Sequence, residues 1–276
     1  MGTSQSSGGP GGGVPLMPPW VPDAEPPSPP PDPANVPVAP AAPNPVPQPP
    51  LAPSGRFTGA RRSLGSFARS GNEREMRRGL GHYARSGYGG AGGAARRLGG
   101  TAATAGALHR ALGGGAGGPG ITPGGIPDPT LLAGRSADEV MSAVVEAVRP
   151  VDGTLDAEAS RAAIADGLAE LLTRYPAADL LNLTEEQRAF AVERYTANDV
   201  FRRIQLDVGK AIHEKAPTAS VALARLKQVR DYVKETIAAS FRRLREAGRT
   251  LTAGRVEQAV RDAIRETFQV FEGFAE

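Results

Sequence analysis

Apolar residues recur at helical spacing through the C-terminal half of the chain. Val140, Val144 and Val148 fall on one face, as do Ile164, Leu168, Leu171 and Leu172. Two longer stretches follow. One carries Phe190, Tyr195, Phe201, Ile204, Val208 and Ile212; the other carries Leu226, Val229, Val233, Ile237, Phe241 and Leu244. A last one holds Val256, Val260, Ile264 and Phe268. Steps of three and four with no apolar–polar alternation predict amphipathic helices and no strands. Start and stop signals bound them. Ser136 with Glu139 predicts a capping box, and Pro150 ends that helix. Asp156 is the predicted cap of the second, ended by Pro176. Thr184 with Gln187 opens a long helix to about Lys215. Thr218 opens the fourth, closed near Gly248, and the fifth spans Thr252 to Phe271. Five helices with short connections over 129–276 predict a helical bundle.

Upstream the period is shorter and broken by glycine. Phe57, Leu64 and Phe67 share a face, and so do Met76, Leu80 and Tyr83. The segment Arg61-Arg62-Ser63-Leu64-Gly65-Ser66-Phe67-Ala68-Arg69-Ser70-Gly71 recurs as Arg77-Arg78-Gly79-Leu80-Gly81-His82-Tyr83-Ala84-Arg85-Ser86-Gly87, with eight of eleven positions identical. Asn72 with Glu75 forms a candidate capping box, and Gly71 and Gly87 stand where C-terminal caps belong. Internal glycines make such short helices marginal alone, so they are expected to order only against a partner. An Ala-rich stretch, 94–112, predicts one more helix with Leu98, Leu108 and Leu112 as anchors. Gly113 to Gly120 reads as a joint; it lacks the Gly-Lys-Ser/Thr ending of a phosphate loop.

The first 55 residues carry no period at all. Nineteen of the 26 prolines lie in residues 1–53, and twenty-two of the 35 glycines in 55–125. Neither stretch offers enough apolar surface to offset backbone entropy as an ordinary globule. The expected fold is therefore mostly α: a C-terminal bundle over 129–276, preceded by a long Pro/Gly-rich disordered tail over 1–55 and an Arg/Gly-rich arm over 56–128. Charge divides the same way. The tail has three acids and no base, whereas 56–120 holds eleven Arg, two Glu and no Lys. Arginine is the side chain for forked contacts to carboxylate and phosphate. With no cysteine, disulfides, thiolate metal sites and Cys nucleophiles are excluded, and a reducing cytoplasmic setting is expected. No apolar run approaches the roughly 18 residues of a spanning helix. The N-terminus has no basic residue before Arg56, unlike a secretory signal.

Candidate chemistry is concentrated at the start. Gly after Met1 favours removal of the methionine, leaving a free, unhindered Gly2 amine as a target for modification. Met-Gly-x-x-x-Ser also fits a myristoylation pattern, but without a neighbouring basic stretch a single acyl chain gives only marginal membrane binding. The Pro-rich spacer favours extended polyproline II, at about 3.1 Å per residue. Leu16 and Trp20 are the tail's candidate anchors. In the repeat, Arg61, Arg62, Leu64, Phe67, Arg69, Arg77, Arg78, Leu80, Tyr83 and Arg85 are candidates for partner binding. They would either dock in a protein cleft or bind nucleic acid, with Arg on phosphates and rings on bases. His213 has no further ligands at helical spacing, so no metal or cofactor site is expected, and no catalytic constellation emerges.

The ordering of motifs carries a resemblance. The chain opens Met1-Gly2-Thr3-Ser4 and runs through Val14-Pro15-Leu16 to Pro18-Pro19-Trp20-Val21. A Pro-rich stretch and the Arg-Arg-Ser-Leu-Gly segment with Phe-Ala-Arg-Ser-Gly follow, then Asp152-Gly153-Thr154-Leu155-Asp156-Ala157-Glu158-Ala159-Ser160-Arg161. In these parts it resembles the QatB family of the bacterial Qat anti-phage defence system. The resemblance implies partners: a QatA-like ATPase, a QueC-like enzyme (QatC) and, as a further candidate, a TatD-like nuclease (QatD). It implies that Gly2 receives a 7-deazaguanine group through an amide, with Thr3 and Ser4 as recognition contacts. The expected role is a non-catalytic scaffold and modification substrate. The alternative is an adaptor whose arginine arm contacts phage DNA or RNA.

Overall fold

Nine α-helices, and no strand, build the described part of the protein, which in this computed structural model comprises residues 55–113, 132–248 and 254–275. The proline-rich tail, with Gly2, Thr3, Ser4, Leu16 and Trp20, lies outside the described residues. So does the glycine joint beyond Gly113.

The C-terminal helices follow their sequence signals closely. α5 (Ala137–Val148) starts in a complete Ser136/Glu139 capping box. α7 (Glu185–Lys215) starts in the Thr184/Gln187 box, each side chain reaching the other's backbone N–H. α8 (Ala219–Glu246) is capped by Thr218. α9 is Val256–Glu272, preceded by a turn at Gly254 and Arg255 where the pattern predicted helix. α6 (Leu155–Arg174) corrects one cap: Thr154, not Asp156, accepts the Ala157 N–H. Asp152 fixes Thr154 through backbone and hydroxyl bonds of 2.9 and 2.6 Å, which leaves Asp156 free to serve elsewhere.

The larger departure is the arm. Residues 57–112 form four helices: α1 (Thr58–Ser70), α2 (Glu73–His82), α3 (Ala91–Arg97) and α4 (Gly99–Ala111), with a π-helical turn at Tyr83–Gly87. They belong to the same compact unit as the bundle, Leu51–Glu276. α1 and α4 pack on α7, while α2, α3 and α4 pack on α9. The boundary that composition suggested at 128/129 therefore does not divide the packing. Leu98, Leu108 and Leu112, the predicted anchors of one Ala-rich helix, are buried, though the stretch is broken into α3 and α4.

The glycines explain why the arm packs where it was expected to fray. α1 and α2 form an antiparallel hairpin, turned at Gly71 in the left-handed region (φ 73°). A Cβ at Gly79 would lie 2.7 Å from Leu64 Cγ across it. One at Gly81 would lie 2.6 Å from the backbone N of Ala275, just past α9. These positions lack a side chain because a neighbouring helix, or the chain just past α9, occupies the space. Gly87 is no C-terminal cap: its φ is not positive, and a Cβ there would meet the Phe57 ring at 2.4 Å. Likewise Asn72 caps α2 through the Arg74 N–H, without the reciprocal Glu75 bond of a capping box.

Candidate functional site: an arginine-faced hairpin bolted to the bundle

The repeat positions divide into an inner and an outer set. Leu64, Phe67 and Leu80 are fully buried and Tyr83 is 1% exposed. Their apolar faces meet the chain's own helices, which corrects the expectation that they face a separate partner. The amphipathic period was read correctly, but the partner it calls for is α7 and α9 of the same chain. Phe57 stacks on Tyr83 at 5.1 Å, Tyr83 meets Tyr88 edge-on at 5.1 Å, and Tyr88 meets Phe268 of α9 at 5.6 Å. These rings cannot also stack on bases.

Beneath the hairpin, α7 presents Tyr195, Asp199, Arg203 and Asp207 at four-residue spacing, hence on one face. Each is tied to another helix. Tyr195 shares a 3.0 Å bond with Ser160 of α6. Asp199, fully buried, accepts from Thr101 of α4 at 2.6 Å and from Arg203 Nε at 3.2 Å; its Oδ1 has no partner. Arg203 also reaches Asp156 at 3.3 Å. Asp207 accepts the Tyr83 hydroxyl at 2.9 Å, and its carbonyl accepts Arg61 Nη2 at 2.9 Å. Burial pushes the Asp207 carboxyl pKa up, and the Tyr83 hydroxyl holds it partly down. Tyr83 is itself pushed far up by burial, then by Tyr88 and Asp207. Burial opposes the charge of Arg203, but Asp199 and Asp156 prevail and raise its pKa. Sequence reading missed this stripe. Its signal was a tyrosine, two aspartates and an arginine spaced by four along one face of an amphipathic helix.

The arginines of the two copies also divide. The first of each pair, though exposed, is engaged by other residues of the chain: Arg61 on the Asp207 carbonyl, Arg77 with Glu73 at 3.6 Å and over the Tyr232 ring at 5.7 Å. Arg62, Arg69, Arg78 and Arg85 are exposed and form no ion pair among the described residues. Arg62, Arg78 and Arg85 surround His82. Burial lowers the His82 pKa first, followed by the fields of Arg78, Arg62 and Arg85, with Glu75 alone opposing.

Among the described residues no group of three or more acidic or imidazole side chains could hold a metal ion, and no helix is long and apolar enough to cross a membrane. Fold and surface together define an all-helical body carrying an arginine-faced hairpin. The family model described as Qat anti-phage system associated protein QatB matches residues 89–271. The chain therefore belongs to the QatB family, and with it to the Qat anti-phage defence system. The match runs from just after the hairpin to the end of α9, so it rests on the helices and not on the tail or the repeat. No curated protein and no solved structure matches the chain.

Proposed function

We propose that this protein is a non-catalytic subunit of the Qat defence system. In this reading it is a helical scaffold that holds out an N-terminal tail for modification. The observation that supports it is the family match over 89–271, taken with the way the chain is fixed at Gly55–Phe57. Arg56 lies 4.4 Å over the Phe57 ring, and Phe57 is buried against Tyr83. A tail leading to Gly55 joins the body next to this buried ring. Its free Gly2 amine is the nucleophile. Attack on an acyl-adenylate of a 7-deazaguanine carboxylic acid would form an amide and release AMP, with Thr3 and Ser4 read by the QueC-like enzyme. An uncharged, unhindered amine suits that step, since only the unprotonated form attacks and its ordinary pKa is near 8. Leu16 and Trp20 then serve as anchors on the ATPase or the QueC-like enzyme.

The test is the intact and N-terminal-peptide mass of the full chain co-expressed with a QueC-like partner, against a Gly2→Ala variant and against expression alone. The reading expects an added deazaguanine acyl mass on Gly2 that needs the enzyme. An unmodified N-terminus with active enzyme present would overturn it.

A further inference from the structure

We infer that the outer face of the α1–α2 hairpin, centred on Arg62, Arg78 and Arg85, is a binding surface for the phosphate backbone of duplex nucleic acid. This does not rest on the modification reading and concerns a different part of the molecule.

Geometry gathers the three arginines. Arg78, His82 and Arg85 stand at steps of four and three along α2 and its π-turn, so they share a face. Gly59 of α1 abuts His82, where a Cβ would lie 3.1 Å from the imidazole Cγ. Arg62 is one helical turn further along α1. Two copies of one sequence thus place their exposed arginines side by side on antiparallel helices. Arg69 and Arg74, exposed on the same two faces, extend the surface toward the Gly71 turn.

Counter-charge on this face is sparse: five exposed arginines, Arg62, Arg69, Arg74, Arg78 and Arg85, face the single carboxylate of Glu75, whose field reaches His82. Many arginines of the bundle are paired, Arg135 with Glu139, Arg149 with Asp152, Arg161 with Glu146, Arg202 with Asp166 and Arg243 with Glu266. Of those without an ion pair among the described residues, Arg174 and Arg265 stand on separate helices. On the hairpin the one paired arginine is Arg77. Uncompensated guanidinium groups on a folded surface repel one another, and an anionic ligand relieves that repulsion. Arginine, unlike lysine, presents a planar fork that matches phosphate oxygens.

The chemistry of the surrounding surface selects the ligand. Arginine anchors at protein interfaces act together with buried aromatic or apolar neighbours in well-packed pockets. The exposed large hydrophobic residues, Val151, Leu155, Leu206 and Leu223, all lie on or beside α6–α8, and none is on the hairpin. Single strands are held by exposed rings on which bases stack, but Phe57, Phe67, Tyr83 and Tyr88 are all buried. Between the arginines stand small polar residues, Ser66, Ser70 and Ser86, which let a backbone approach; the Ser70 hydroxyl already donates to the Ser66 carbonyl, leaving Ser66 and Ser86 as donors to phosphate. A duplex backbone needs only this, and such contacts carry no sequence preference.

The experiment is equilibrium binding of the full chain to a labelled random-sequence DNA duplex, measured by fluorescence anisotropy over a salt series. A duplex RNA and a single strand of equal length serve as comparisons. Each phosphate neutralised contributes about −0.9 to the slope of log K against log salt, so three arginines predict a slope of about −2.7. The triple variant R62Q/R78Q/R85Q should lose most of the binding and the slope while keeping its thermal melt, since all three side chains are exposed. A charge-matched control, R135Q/K210Q/R230Q, should bind as the native protein does. Several results would overturn the inference: no duplex binding at low salt, a single strand bound more tightly than duplex, or equal losses in the triple variant and the control. So would a native protein that ignores duplex but co-purifies with an acidic protein through the same three arginines; the face would then be a protein-docking surface.

Discussion

Replacing Phe67 by alanine measures how far the arginine-glycine segment belongs to the fold. Phe67 is fully buried between the hairpin and the bundle, with the Arg225 guanidinium 5.4 Å above its ring. Truncating a core phenylalanine costs about 3–5 kcal/mol in lost transfer energy and residual cavity. The lost cation–π contact adds about 0.5–1 kcal/mol. For a folded body of roughly 200 residues, 1 kcal/mol corresponds to about 2–4 °C in Tm. The combined loss of about 3.5–6 kcal/mol predicts a fall of about 7–24 °C, read by calorimetry or by far-UV circular dichroism of the full chain without any partner. The transition should stay single, because hairpin and bundle share one core. A segment that ordered only on a partner would contribute nothing to the isolated protein. A Tm within about 2 °C of native, or a second transition separate from that of the bundle, would refute the reasoning.

Other perturbations separate the same contacts. Gly81→Ala, whose Cβ would meet the backbone near Ala275, should destabilise by about 1–3 kcal/mol in denaturant titration. Gly100→Ala, in a helix with nothing within 4 Å, should instead stabilise by up to about 1 kcal/mol. Tyr83→Phe keeps the ring and removes the hydroxyl bonded to Asp207, and should cost about 1.5–3 kcal/mol. Acid should weaken the fold through His109. Its ring is buried and its pKa lies below the ordinary 6.5, burial outweighing the bond to Glu185. The folded state then binds fewer protons than the unfolded chain, so stability is full above pH 6.5 and is lost as pH falls from there toward the lowered value. His82, also lowered, acts in the same sense. His109→Gln should flatten, without abolishing, the fall in Tm over that range.

How much of this was legible in the sequence follows from which interactions are local. Capping boxes and apolar periods are written within one turn of the chain, so Ser136/Glu139, Thr184/Gln187 and the course of α7 and α8 could be read directly. The burial of Leu64, Phe67, Leu80 and Tyr83 was legible as a shared face, but much of what covers them lies on α7, α8 and α9, more than a hundred residues away. Glycine misled for the same reason. At Gly79 and Gly81 propensity predicts fraying and at Gly87 a C-terminal cap, while the structure uses the missing Cβ for close approach, and no local signal distinguishes these. The Asp199–Arg203–Asp207 stripe showed its spacing but not its partners, Thr101, Asp156 and Tyr83. The split of each arginine pair was hidden as well, because Arg61 and Arg62 are adjacent in sequence and only their helix phase separates them.

Hydrogen–deuterium exchange of the isolated full chain, read peptide by peptide, tests most directly whether the arginine-glycine segment is a built-in wall of this helical body. Amides of 57–112 should be protected to the same free energy as those of 185–246, since both would open only with the whole core. Exchange of 57–112 at the rate of an unfolded chain, with 185–246 still protected, would contradict the account. The hairpin would then be an arm awaiting its partner.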